Sequence, residues 1–148
     1  MKYFVDTEFD GFGGKLLSIA LVREDGEFRS FLLEAEWETL TPWVKEHVRP
    51  FFFDGQLTVD HMVTPYAAMR DIVQFMMADP DPVIIADWPD DIRYFCELLI
   101  VGPGKMHGIN RLKFEMVRVD AYPTTLEGAV QHNAWWDAMA LREKIQNG

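Results

Sequence analysis

Cysteine is all but missing. Cys96 is the only one in the chain, so no internal disulfide can form, and a reducing cytoplasm is the expected location. No apolar run approaches the roughly 18–20 residues needed to span a bilayer. Acidic residues arrive by position 6, so the N-terminus does not read as a signal peptide. Basic residues are scarce as well: 14 Lys and Arg face 24 Asp and Glu, a formal net charge of −10. That balance argues against a protein that coats long nucleic acid by electrostatics alone. It does not exclude a nuclease whose carboxylates are offset by divalent cations, which would prefer short or single-stranded ends. Repeats, low-complexity tracts and linkers are missing too, so residues 1–148 read as one domain. At this length roughly 68–70% of the unfolded surface can be buried. A composition of 49% hydrophobic and 26% charged residues is ordinary for a soluble globular protein.

What is present alternates between strand and helix signals. Lys2 to Phe9, Lys15 to Arg23 and Glu27 to Leu33 are apolar and β-rich, with Glu24-Asp25-Gly26 as a hairpin turn. Thr41-Pro42 and Thr64-Pro65 each place a capping hydroxyl before a Pro at the first helical position. They open helices running to about Val48 and Met77; in the second, Ala68, Ile72, Phe75 and Met76 recur at helical spacing. Val83 to Ala86 is short and wholly apolar, like a buried central strand. A helix starting at Asp90 or Asp91 follows and ends at Gly102-Pro-Gly104, then a strand from Phe114 to Asp120 and a last helix from Asn133 to Ile145. The order predicts an α/β fold with a mixed sheet of about five strands and helices on both faces. Sites in such folds usually lie at strand ends.

Both acidic clusters fall there. Side chains alternate along a strand, so Asp6 and Glu8 share one face while Val5 and Thr7 take the other. Two such carboxylates repel unless a cation lies between them, and unpaired burial is costly. A solvated edge strand is the plain alternative. Asp91 stands where a helix begins, a position the helix dipole favours for a carboxylate with or without metal. Asp87 and Asp90 compete for its role. Asp91 is preferred because it sets the helix phase that buries Ile92, Phe95 and Leu99. His132 precedes Asp137 by five positions, about 140° on an ideal helix. The two converge only if His132 lies on the loop and Asp137 in the first turn. A loop His beside an anchored acid suits a general base, although a His capping or packing near a helix end would look the same. Together these residues suit a pair of hard cations with a base beside them, and hence metal-dependent cleavage of phosphodiesters.

The segments Phe4-Val-Asp-Thr-Glu-Phe9 and His132-Asn-Ala-Trp-Trp-Asp137-Ala, with an Asp before a helix between them, resemble the DEDDh 3′–5′ exonucleases, which include RNase T, oligoribonuclease and the DnaQ proofreading subunit. The central motif is looser, because Ala86-Asp-Trp-Pro-Asp90 replaces the Asn-rich lead common in that group. Trp43-Val-x-x-His-Val-x-Pro50 and Phe95-Cys-Glu-Leu98 are similar to segments of the short, single-domain mycobacterial-type 3′ exoribonucleases. The resemblance spans nearly the whole chain. It implies an RNase H-like fold and two Mg²⁺ or Mn²⁺ ions roughly 3.5–4 Å apart, held by Asp6, Glu8, Asp137 and, partly through water, Asp91. It also implies His132 as the proton acceptor, release of nucleoside 5′-monophosphates from RNA 3′ ends, and a homodimer.

Substrate contacts are less marked. Phe9 and Phe12 flank the acidic strand end and could stack on the terminal base, or serve as core aromatics or a loop plug. Of Trp135 and Trp136 only one can face the core, which leaves Trp136 to line the site. Lys105, Arg111, Lys113 and Arg118, with His107, form the one basic-rich stretch and could guide a strand by its phosphates. A solvated surface is the alternative. Thr7 would serve by its backbone, and Asp120 reads as a turn acid. The same chemistry on DNA, and a silent nucleic-acid-binding or metal-binding module on this fold, are the competing readings. An RNase H-type endonuclease fits less well, given the spacing of His132 and the lack of a broad basic surface.

Overall fold

The computed structural model describes residues 1–35, 40–47, 62–119 and 133–147. Twelve elements follow in order: β1 (Lys2–Phe9), β2 (Leu16–Arg23), β3 (Phe28–Leu33), α1 (Pro42–His47), β4 (Met62–Val63), α2 (Pro65–Met76), β5 (Val83–Ala86), α3 (Pro89–Leu99), β6 (Ile100–Gly102), β7 (Lys105–Met106), β8 (Lys113–Met116) and α4 (Ala134–Asn147). The main sheet has six strands in the order β4-β3-β2-β1-β5-β8. β2 lies between β1 and β3 and runs antiparallel to both, whereas β5 runs parallel to β1 and β8 parallel to β5. The mixed α/β architecture therefore holds, with one strand more than the expected five.

Alternation along β1 sorts the layers. Tyr3 and Val5 join Ile19, Leu21 and Ile84 in a core cluster with Met69, Ile72 and Met76 of α2 and Phe95 and Leu99 of α3. Phe4 points the other way and packs with Ile85 and with Leu141 of α4. Beside it, Ala20 and Val22 of β2 meet Ala134 and Ala138. Small residues on both elements let α4 lie close to the sheet. Helices thus cover both faces, and β1 lies between β2 and β5 with apolar neighbours above and below.

Local chemistry sets the boundaries. The Thr64 hydroxyl accepts from Ala67 N at 3.1 Å, and Pro65 occupies the first turn of α2, so the expected start is correct. α3 begins earlier than expected, at Pro89 rather than at Asp90 or Asp91. The fixed φ of proline suits that first helical position, where no N–H is needed. It ends at Leu99 rather than at Gly102, because Ile100 to Met106 turn back through Gly104 at φ 67° to form the small β6–β7 pair. The strand expected over Phe114 to Asp120 is Lys113–Met116, and Asp120 lies outside the described residues. No helix among the described residues is long and apolar enough to cross a membrane.

Because β1, β5 and β8 are parallel, their C-terminal ends share one edge of the sheet. That edge holds Glu8, Ala86 and Met116; the opposite edge holds Lys2, Val83 and Lys113.

Candidate metal centre

The acids of β1 meet the acid of α4 for a simple geometric reason. Phe4, Asp6 and Glu8 have the same parity and leave the strand on the α4 side. Leu141 packs on Phe4, and Asp137 lies one helical turn before Leu141 on the same helix face. Asn133 fixes the start of that turn: its Oδ1 accepts from Trp135 N at 3.1 Å and Trp136 N at 3.3 Å, and its carbonyl accepts from Asp137 N at 2.9 Å. Asp6, Glu8 and Asp137 each offer one carboxylate oxygen, and these oxygens lie within 4.8 Å of one another. Residues at positions 6, 8 and 137 are thereby gathered at one point.

Among the described residues, little offsets the charge of these carboxylates. Each side chain is partly exposed as a whole, yet Asp6 Oδ2 is enclosed and lacks a hydrogen-bond partner among the described residues. Burial, then the charges of Asp137, Asp91, Glu8 and Asp87, push Asp6 well above the usual carboxylate range. Burial and then Asp137 do the same to Glu8. Burial pushes Asp137 up to about 7, although hydrogen bonding with Glu8 pulls the other way. An enclosed oxygen with no donor among the described residues, amid like charges, is an arrangement that a bound cation would stabilise. The donor set is all oxygen, which fits Mg²⁺ or Mn²⁺ and not a thiolate-seeking metal.

Asp91 occupies a different position. It is 4% exposed, and its Oδ1 accepts from Thr7 N at 3.1 Å and from Thr7 Oγ1 at 2.6 Å. Thr7 leaves β1 on the face opposite Asp6, so Asp91 braces the strand from behind and stands outside the three-acid set. Its charge still reaches both Asp6 and Glu8. Burial pushes Asp91 itself up to about 7, with the Thr7 bonds opposing and Asp137 and Asp87 adding to the shift. The competing acids are otherwise engaged. Asp90 accepts from Trp88 Nε1 at 3.1 Å and Arg93 Nε at 3.2 Å, and Asp87 accepts from Val119 N at 2.9 Å.

No protein-family model matches this chain, and no curated protein matches it. The chemistry must be read from the geometry.

Several expected contacts lie elsewhere. Thr7, expected to meet substrate through its backbone, is buried and gives both its N–H and its hydroxyl to Asp91. Phe9 has the parity of Thr7 and turns inward, with its ring 4.8 Å from that of Tyr94. Arg111 and Lys113 sit at the opposite sheet edge, each 3.1 Å from an Asp81 oxygen. Lys105 is exposed on the β6–β7 pair that continues α3, on the far side of the sheet from α4. Only Arg118 of the basic stretch follows β8 toward the acidic edge. His132 lies outside the described residues. Trp136 is partly buried and meets Trp135 edge-on at 4.5 Å, while Trp135 packs with the α4 core and Phe28.

Phe12 follows the strand that carries Asp6 and Glu8. It is 98% exposed on the loop that follows β1, and that loop is braced. Asp10 N donates to the Lys15 carbonyl at 2.8 Å, the Tyr94 hydroxyl donates to the Gly14 carbonyl, and the Asp10 carboxylate accepts from Thr41 N at 2.8 Å. Gly14 is required there, because a Cβ would collide with the Asp10 carbonyl. Sequence reasoning missed Tyr94 as the brace. Nothing local signals a partner so distant along the chain.

Proposed function

We propose that this chain is a metal-dependent 3′–5′ exoribonuclease of the DEDDh kind on an RNase H-like fold. One observation carries the reading: Asp6, Glu8 and Asp137, two of them on a strand and one on a distant helix, converge within coordination reach, with Asp6 Oδ2 unpartnered among the described residues. The mixed sheet covered by helices on both faces supports the fold assignment.

Asp6, Glu8 and Asp137 would hold two Mg²⁺ or Mn²⁺ ions, with Asp91 keeping the strand end in place through Thr7. Divalent ions bound there supply Lewis acidity toward an attacking water and the leaving 3′ oxygen. His132, which precedes Asn133 in the sequence, would be the general base that accepts the proton of the attacking water. Phe12 stacks on the terminal base, which requires an unpaired end. The product is a nucleoside 5′-monophosphate. A cup of carboxylates cannot receive a phosphodiester without cations, so the net negative chain and the nuclease reading agree.

The test is incubation of the purified protein with 5′-labelled RNA and with matching DNA, each with and without Mn²⁺. A ladder of shortened RNA that depends on Mn²⁺ is expected. A preference for DNA would move the substrate class to deoxyribonucleotides. Silence on both nucleic acids with Mg²⁺ and Mn²⁺ would overturn the enzyme reading in favour of a binding module.

A further inference from the structure

The stretch after β5 carries a second exposed aromatic at the acidic edge. Trp88 directly follows Asp87 and caps α3 in an extended conformation. Its ring remains 49% exposed, although its Nε1 donates to Asp90 Oδ2 at 3.1 Å. The Arg118 guanidinium carbon lies 5.0 Å from the centre of that ring, and Arg118 Nε lies 3.6 Å from Asp87 Oδ1. Backbone bonds fix the pair: Val117 N donates to the Ala86 carbonyl at 2.8 Å, and Val119 N to Asp87 Oδ1 at 2.9 Å. The backbone on either side of Arg118 is thereby tied to the segment that carries Trp88.

The β1–β5 register places this pair beside the acids. Phe4 pairs with Ile85, so continuing both parallel strands by two residues sets Asp6 level with Asp87. The charge of Asp87 is felt by Asp6 and Asp91 alike. Two exposed aromatics then stand at one edge, Phe12 beyond β1 and Trp88 beyond β5, with the carboxylates between the two strand ends.

We infer that Trp88 and Arg118 form a platform for single-stranded RNA next to the cleavage point, the indole stacking on a base and the guanidinium pairing with a phosphate. This rests on the nuclease reading above and deepens it. Stacking on an indole is tolerant of base identity, and the guanidinium supplies the cation that a phosphate needs in an otherwise acidic surface. Two aromatic rings that each require an unstacked base would select single-stranded ends. A purely structural cation–π pair is the competing explanation. It predicts effects on stability and none specific to longer substrates.

The experiment compares Trp88→Ala, Trp88→Phe and Arg118→Ala with the wild-type chain. Two Mn²⁺-dependent substrates are used: a short 5′-labelled oligoribonucleotide, and a p-nitrophenyl ester of a nucleoside 5′-monophosphate, which has no second base. In Trp88→Ala the KM for the oligonucleotide should rise on the order of 10-fold with little change in kcat. The ratio of oligonucleotide to ester kcat/KM should fall by a similar factor. Trp88→Phe should restore most of it, and Arg118→Ala should raise KM while weakening its dependence on salt. Equal losses on both substrates, or an unchanged oligonucleotide KM in Trp88→Ala and Arg118→Ala, would overturn the platform. If Trp88→Ala does not fold, Trp88→Phe and Arg118→Ala decide alone. A wild-type chain inert on both substrates would instead sink the nuclease reading beneath it.

Discussion

The two edges of the central sheet treat the same side chain in opposite ways. At the N-terminal edge Asp79 is nearly buried, yet its carboxylate accepts from the terminal ammonium at 2.6 Å, from the Tyr3 hydroxyl at 3.2 Å and from Asp81 N at 3.0 Å. Burial pushes Asp79 up, but the bonds from the terminal ammonium, Asp81 and Tyr3 outweigh it and leave it below the ordinary value. Asp81 beside it has Arg111 and Lys113. At the C-terminal edge Asp6, Glu8 and Asp137 have one another, and all are shifted upward. Among the described residues, donors accompany the acids at one edge and not at the other, which is the contrast the proposed cation site would explain. Partnered acids serve the fold; unpartnered ones are kept at a cost and point to chemistry.

The largest expected effect is at the unpartnered edge. Asp6→Asn should remove turnover while leaving the metal-free fold intact or slightly more stable, since it relieves repulsion among buried like charges. Single-turnover cleavage together with a thermal melt checks this, and wild-type turnover in the variant would refute the ligand assignment. His132→Ala should keep metal binding and lower kcat by the roughly 10²–10⁴ typical of a lost general base. An unchanged rate would take His132 out of the mechanism.

A pH series separates the two edges by sign. Asp6, Glu8, Asp91 and Asp137 have folded pKa values above their unfolded ones. The stability they contribute is fully present below about pH 4; that of Asp91 and Asp137 is lost as pH rises through about 7, and that of Asp6 and Glu8 as it rises through their own raised values. Asp79 has a lowered folded value, so its contribution is present above its unfolded pKa and is lost as pH falls through the folded one. Melts in EDTA should therefore show metal-free stability declining between about pH 4 and 7, with Mn²⁺ cancelling the decline. A flat profile there would contradict the uncompensated edge. The smallest effect belongs to Asp81→Ala. Its partners are half-exposed, so the loss should be at most about 1 kcal/mol, with nuclease activity retained. A large loss of activity would show that the two edges are not separate.

Much of this was legible in the sequence because it depends on short periods. Alternation over positions 4–8 puts Asp6 and Glu8 on one face; helical phase singles out Asp91 among three neighbouring acids as the buried one, but not its bond to Thr7 or its place outside the three-acid set. The Thr-Pro pair at 64–65 marks the start of α2. What was not legible depends on which elements become neighbours. The basic residues near positions 105–118 look like one patch along the chain, but β8 separates Arg111 and Lys113 at its start from Arg118 beyond its end. The bond from Thr7 to Asp91 was not legible because the two lie 84 positions apart. Phe9 looked equivalent to Phe12, yet strand parity sends it toward Tyr94 while the loop carries Phe12 outward. The β6–β7 pair escaped notice because Ile100 and Val101 extend the apolar phase of α3 and read as its last turn.

The most direct test of the uncompensated edge is a calorimetric titration of Mn²⁺ into the metal-free chain near pH 7, where Asp91 and Asp137 are close to their midpoints. It would be run on the wild type and on Asp6→Asn in buffers of different ionisation heat. Saturable binding with release of protons is expected for the wild type, and a marked weakening for the variant. No saturable binding to the wild type, or equal binding to both, would contradict the account.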